Sequence, residues 1–253
     1  MRKLFYGLLD LLLLRAWHLR KEFRTLKKAG VNLHTVFDAG SGFGQYVWRI
    51  ARLFPNANIK GVDIKDEQVE ECNTFFSKVG LSHRVSFEVA DLTRYVVSNG
   101  YDLILSVDVM EHIEEDEKVI KNFFLSLRKG GVVIISTPSD KGGSDAHDHE
   151  GEGATGFIDE HVRDGYNIDD IRDKLKQAGF LKVYARYTYG KPGKLSWKMT
   201  MKIPVIMLNK SKLFFIFLPF YYLIVFPIAA LLNYFDVIIA HKEGTGLLIK
   251  AIK

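Results

Sequence analysis

Cysteine is almost missing from this chain of 253 residues. Cys72 stands alone, so no disulfide forms within the chain, and the usage fits a reducing compartment. Internal repeats and low-complexity tracts are absent, which excludes a stacked repeat array. The apolar N-terminal stretch MRKLFYGLLDLLLLRAWHLRKEFRTL lacks a small-x-small cleavage site and is interrupted by Asp10, so it does not read as a cleaved signal peptide. An acidic excess is lacking too: the formal net charge is +5 and the isoelectric point about 9.1. One stretch, LFFIFLPFYYLIVFPIAALL at 213–232, lacks charge altogether and has the length of a membrane span.

What is present divides by region. Residues 1–30 read as one amphipathic helix, with Leu4, Leu8, Leu11, Leu12 and Trp17 at helical spacing. Arg2, Lys3, Arg15, Arg20, Lys21, Arg24, Lys27 and Lys28 crowd the same segment, which points to an anionic surface rather than a nucleic-acid groove. From 36 to 190, apolar runs (TVFDAG, IKGVDI, VSFEVA, YDLILSV, GVVIIST, LKVYARYTY) alternate with helical patterns (QYVWRIARLF, KDEQVEECNTFFSKVG, DEKVIKNFFLSLRKG, NIDDIRDKLKQAGF). That alternation predicts an α/β fold, a doubly wound parallel sheet whose strands are covered on both faces. RKGG at 128–131 and QAGF at 177–180 read as helix stops. Residues 139–165, rich in Gly, Asp, Glu and His, read as a long loop beyond a strand end that faces the expected ligand crevice.

In FDAGSGFGQYV, residues 37–47, Gly40, Gly42 and Gly44 take every second position and Asp38 precedes them. A strand, these glycines and a helix from about Gln45 form a nucleotide-type cradle, where a ligand can lie against bare backbone at a helix N-terminus. The third glycine comes one residue too early for the dinucleotide pattern, and a tight turn that packs helix on sheet stays open as the alternative. KGVDI then ends in Asp63, about twenty residues on, where an acid grips ribose hydroxyls in such sheets. VADLT sets Asp91 at the end of a third strand and YDLILSVDVMEHI sets Asp108 at the end of a fourth. Four acids at four strand ends point into one crevice.

In this order the motifs resemble the class I S-adenosylmethionine-dependent methyltransferases, particularly their small-molecule, quinone or lipid branch. The resemblance covers residues 30–190 and the terminal strand. It implies a Rossmann-like seven-stranded sheet with the last strand antiparallel, so that 31–190 and 244–253 form one domain. It implies S-adenosyl-L-methionine as cofactor: Asp38, Ala39, Gly40, Gly42 and Gly44 at its methionine end, Asp63 and Ile64 at the ribose, Asp91 and Leu92 at the adenine, and Asp108 walling the methyl-donor end. His112, after Glu111 in DVMEHI, reads as general base or substrate ligand, or as a histidine that packs the loop. His161, Arg163 and Tyr166 in EHVRDGY read as substrate contacts or as a structural cap, and Asp108, His112 and His161 are the candidate catalytic residues. His147 and His149, with carboxylates on both sides in DAHDHEGE, read as a divalent-cation site or, favoured on ligand spacing, as part of a solvated acidic loop, so no metal ligand is assigned. The Asn-Pro-Pro-Tyr motif of base-flipping enzymes is missing where DVMEHI stands, so no nucleic-acid substrate is expected.

Residues 191–243 form a hydrophobic insert where a short hairpin is the usual connection. Both flanking strands are expected in one sheet, so the insert has to leave and return on the same side of a bilayer. It lies on the surface, dips in, or crosses twice. Pro204, Pro219 and Pro227 are expected to break it into short helices. The expected activity is methyl transfer to a hydrophobic, membrane-dissolved acceptor (a lipid, quinone or lipid-linked aryl compound) at the inner, cytoplasmic face of a membrane. A soluble small-molecule enzyme whose insert is a lid or dimer interface, and a non-catalytic cofactor-binding scaffold, are the alternatives.

Overall fold

The computed structural model describes residues 1–142 and 162–253. The chain opens with helices α1 (Arg2–Leu12) and α2 (Leu14–Lys28), followed by β1 (Thr35–Ala39), α3 (Gln45–Leu53), β2 (Asn58–Asp63), α4 (Asp66–Lys78), β3 (Val85–Val89) and β4 (Tyr101–Val107). Next come a 3-10 turn at Met110–His112, α5 (Asp116–Ser126), β5 (Leu127–Pro138), α6 (Ile168–Ala178) and β6 (Lys182–Thr188). The insert holds α7 (Lys191–Trp197), a π turn (Lys198–Lys202), α8 (Ile203–Lys210), a 3-10 turn (Lys212–Ile216) and α9 (Leu218–Ile238), and β7 (Gly246–Ile252) follows. The residues group into two units, Lys27–Arg186 with Gly246–Lys253, and Met1–Leu26 with Tyr187–Thr245.

The first unit is built on a seven-stranded sheet in the order β3-β2-β1-β4-β5-β7-β6. β1 to β5 pair in parallel and β7 runs antiparallel to β5, the topology expected from the sequence. Strands such as β1 and β4 read as unbroken apolar runs because helices cover both faces, and Leu103, Ile104 and Leu105 are fully buried. Phe37 anchors the core, stacked at 5.0 Å on both Tyr95 and Tyr101. β7 begins at Gly246 opposite Pro138, so the chain re-enters the sheet at the edge where the parallel strands end.

One boundary differs from expectation. α5 stops at Ser126, and RKGG belongs to β5. Gly130 has φ of +78° and the pairing with β4 slips between Tyr101 and Leu103, so the glycines serve a bulge inside the strand rather than a helix end. QAGF does close α6: Gly179 takes φ of +113° and the Phe180 N–H reaches the Leu175 carbonyl at 3.1 Å.

The second unit is helical. The N-terminal segment forms two helices and not one, because Leu13 takes extended backbone (φ −83°, ψ 116°). Leu4, Leu8 and Leu11 of the predicted apolar stripe face outward, while Tyr6 and Asp10 are buried. The prolines break the insert less than expected. Lys198 and Ile203 keep helical backbone, so 191–210 winds on through the π turn that directly precedes Pro204, and Pro227 lies inside α9. The uncharged run 213–232 divides between the 3-10 turn and α9; Pro219 sits in the first turn of α9, where its missing N–H costs nothing. Among the described residues α9 is the one helix long and apolar enough to cross a membrane. Asp236 of α9 is fully buried: it accepts the N–H groups of Tyr189 (3.1 Å) and Gly193 (2.9 Å), and ring nitrogens of His18 and His241 lie 2.9 and 3.2 Å away.

Candidate active site

The site candidates lie where β1, β2, β3 and β4 end. Asp38 is in register with Gly61 of β2 and Leu105 of β4, and is 1% exposed. Its Oδ2 is buried with no protein hydrogen-bond donor. Burial pushes its carboxyl well above the ordinary carboxylate range, and the neighbouring Asp63 charge pushes it the same way. Buried polar atoms are rarely left like this. A cationic group of a ligand would satisfy Asp38 and restore its charge.

Beyond β1 the chain turns tightly. The N–H groups of Gly40 and Ser41 both donate to the Val62 carbonyl, at 2.9 and 2.8 Å. Gly40 and Gly44 have packing reasons to be glycine: an added Cβ on Gly40 would lie 2.3 Å from a methyl of Val109, and one on Gly44 would press on Cys72, Phe76 and Phe87 at 3.2–3.3 Å. The expectation that a ligand alone excludes side chains here is corrected for these two positions. Gly42 has open space around it, with nothing nearer than 3.8 Å, and only its φ of +47° favours glycine. Its N–H donates to Asp63 Oδ2 at 2.8 Å, while Asp63 Oδ1 accepts the Lys65 N–H at 3.1 Å. Asp63 thus ties the glycine turn to the end of β2 and keeps lone pairs for a further donor. Gly44 caps α3 in the left-handed region, φ +76°, and as a glycine brings no side-chain cap hydrogen bond.

Ile64 is 71% exposed just past Asp63. Asp91 sits two residues beyond β3, and its carboxyl is held below the ordinary range by hydrogen bonds from Thr93. Leu92 is buried, and its carbonyl accepts Asn122 Nδ2 at 2.9 Å. Asp108 follows β4 in the left-handed region, φ +52°, with its N–H on the Ser136 carbonyl at 2.8 Å. That turn delivers Val109 against Gly40, so the loops after β1 and β4 touch. Thr137 Oγ1 donates to Glu111 Oε2 at 3.0 Å inside the core, which fixes the residue before the half-buried His112.

Arg163 and Tyr166 are engaged as a structural cap. Arg163 pairs with Asp116 and the Tyr166 hydroxyl and donates to the Ile113 carbonyl at 2.8 Å. Lys174 Nζ reaches both Asp116 oxygens at 2.7 and 2.9 Å. Burial would raise the Asp116 carboxyl, but hydrogen bonds from Lys174 and Tyr166 and the two cations outweigh it and hold it below the ordinary range. The network braces the segment that holds His112. His161, with His147 and His149, lies outside the described residues. Among the described residues no group of three His, Cys, Asp or Glu could hold a metal ion.

The arrangement can bind and orient a molecule that brings a cation to Asp38 and hydroxyls to Asp63. A family model described as a methyltransferase domain matches residues 31–176. Phosphoethanolamine N-methyltransferase 1 of Arabidopsis thaliana is 30% identical over 162 residues, 59% of this chain and 29% of that protein. Sterol 24-C-methyltransferase erg6 of Aspergillus fumigatus is 32% identical over 98 residues, 38% of this chain and 26% of that one. The chain therefore spans less than a third of the length of these two curated relatives. The structure of Haemonchus contortus phosphoethanolamine N-methyltransferase 2 in complex with S-adenosyl-L-methionine shares the fold, with TM-score 0.61 and 18% identity over 92% of this chain and 52% of that one.

Proposed function

From the premise that this chain belongs to the class I S-adenosylmethionine-dependent methyltransferases, we propose that it transfers a methyl group from S-adenosyl-L-methionine to a hydrophobic acceptor such as a lipid, a polyprenyl quinone or a lipid-linked aryl compound. The observation that carries the acceptor class is the insert, where Phe215, Phe220, Leu223 and Ile224 are 67–76% exposed. A relative that is named a sterol methyltransferase agrees with that class.

The orphaned Asp38 oxygen beside the glycine turn suits the ammonium of the cofactor's amino-acid end. Asp63 keeps lone pairs for the ribose hydroxyls. Asp91 and Leu92 flank the adenine, and Ile64 stands beside Asp63 at the ribose. Asp108 walls the methyl-donor end. When bound, the cofactor supplies a methyl already activated on a positively charged sulfur. The chain's own task is then to hold donor and acceptor in line and to keep water out. His112 is the group we assign to take the proton that an acceptor hydroxyl or ammonium must lose.

The test uses methyl-labelled S-adenosylmethionine, the purified chain with liposomes, and a total cell extract partitioned between organic and aqueous phases. Label in the organic phase supports the proposal. Label only in the aqueous phase keeps the enzyme class and moves the acceptor to soluble compounds, with the insert as lid or self-interface. Cofactor binding without label in either phase leaves a non-catalytic scaffold.

A further inference from the structure

Within the helical unit, α9 inverts the polarity of a helix in a water-soluble protein. On α9 the inward stripe is Val225, Ala229, Asn233 and Asp236, at helical spacing. Asp236, Asn233, Ser196, Thr200 and His18 are no more than 2% exposed, while Phe220, Leu223, Ile224 and Leu231 on α9 are 56–76% exposed. In water the usual sorting is the reverse. Polar residues turned inward and Phe, Leu and Ile turned outward is the sorting that an apolar solvent imposes.

Charge is segregated as well. The helical unit holds thirteen Lys and Arg against four Asp and Glu, a formal +9, whereas the sheet unit holds 22 against 26, a formal −4. Lys191, Lys194, Lys198 and Lys202 recur at helical spacing. Lys210 and Lys212 precede the apolar run and Lys242 follows it. An apolar band bracketed by bases matches the headgroup region of an anionic bilayer.

We propose that residues 1–26 and 187–245 form a monotopic docking module that lies in one leaflet of an anionic bilayer, with the outer face of α9 in the acyl layer and its lysines among the headgroups. At 1.5 Å per residue α9 is about 31 Å long, enough to span a hydrocarbon core of about 30 Å. It cannot cross alone, because β6 and β7 are neighbours in one sheet and the chain must return. The only other long stretch of the insert, 191–210, carries five lysines and is no partner for a second crossing. A dip would carry one end of this helix deep into the acyl layer, yet Lys210 and Lys212 stand before it and Lys242 after it, so α9 lies in the plane.

This inference is independent of the acceptor. Flotation of the full chain with phosphatidylcholine vesicles, with and without phosphatidylglycerol, reads no methylation, so it and the label experiment can fail separately. The full chain should float with anionic vesicles and do so about tenfold less with neutral ones. The triple variant Phe220→Ser, Leu223→Ser, Ile224→Ser should lose about a hundredfold in partition. All three positions are exposed, and unchanged S-adenosylmethionine binding checks that the variant folds. Lys198→Glu with Lys202→Glu should abolish the preference for anionic vesicles. Phe217→Cys and Ile239→Cys, at the two ends of α9, should both react with an impermeant maleimide added outside the vesicles. A chain that stays at the bottom of every gradient as a detergent-free dimer assigns the face to a second copy and overturns the proposal. So does flotation that survives the serine triple, or one α9 end that reacts only after detergent is added.

Discussion

α5 and α9 solve opposite problems. α5 turns Val119, Ile120 and Phe123 inward and Glu117, Lys118 and Lys121 to solvent. Its buried polar groups all have partners: Asn122 Nδ2 donates to Leu92, Ser126 Oγ accepts the Val97 N–H at 3.1 Å, and Asp116 meets Arg163, Tyr166 and Lys174. α9 turns Asn233 and Asp236 inward and its largest apolar side chains outward. Asp236 is well served, yet neither polar atom of Asn233 has a hydrogen-bond partner. The difference teaches that two helices of one chain can sort their side chains oppositely: α5 buries apolar groups and partnered polar ones, whereas α9 buries a polar stripe and exposes its largest apolar side chains.

The largest effect expected is at Asp38, the buried acid of the sheet unit whose Oδ2 has no protein donor. Asp38→Asn should weaken S-adenosylmethionine binding about a hundredfold, roughly 3 kcal/mol, and leave thermal stability equal or higher, because a carboxyl whose ionisation burial disfavours gives way to a neutral amide of the same shape. The sign of the pH effect follows from the free state. The Asp38 carboxyl is raised there, and a cation beside it lowers it, so binding releases protons and weakens as pH falls through the raised value. Titration calorimetry in buffers of different ionisation heat reads the release, and proton uptake would contradict the pairing with an ammonium.

Next in size is Asp116→Ala, which strands Arg163, Lys174 and the Tyr166 hydroxyl. A loss of about 2 kcal/mol in denaturant unfolding is expected, discounted because both cations are partly exposed. The Asp116 carboxyl is lowered in the fold, so its stabilisation is complete above the unfolded value of about 3.9 and is lost as pH falls through the lower folded one. The variant should therefore show a shallower acid transition, and an identical one would break the view that Asp116 is engaged by its three partners.

Within the glycine turn, Gly40→Ala should cost about 1 kcal/mol more than Gly42→Ala, because both take positive φ but only Gly40 meets Val109. Equal melting points would remove the packing reason for Gly40. The smallest effect sharpens the comparison from the other side. Asn233→Leu should stabilise the helical unit by about 1 kcal/mol, since two unsatisfied groups leave the interior. Loss of stability would mean that Asn233 has a partner to satisfy.

Much of this was legible in the sequence, for local reasons. Strands buried on both faces are spelled as β-branched runs, and acids at strand ends follow directly from where those runs stop. The insert announced itself by its missing charge. What was not legible depends on pairings across long separations. Nothing near Asp116 says that its partners are Arg163 and Lys174, 47 and 58 residues on. Thr137 is similarly silent about Glu111, 26 residues earlier. RKGG misled because a glycine after a helix and a glycine in a bulge look the same until the neighbouring strand is in place. The prolines misled for separate reasons: a π turn comes just before Pro204, Pro219 falls in the first turn of α9, and α9 runs on through Pro227.

The carboxylate of Asp236 binds His18 of α2, the backbone at Tyr189 and Gly193, and His241 near the return to the sheet. The N-terminal segment and the insert are thus two halves of a single heritable part. Loss of either one alone would take a partner from this buried network, His18 from Asp236 or Asp236 from His18. A chimera that moves residues 187–245 onto another sheet has to carry residues 1–26 with them.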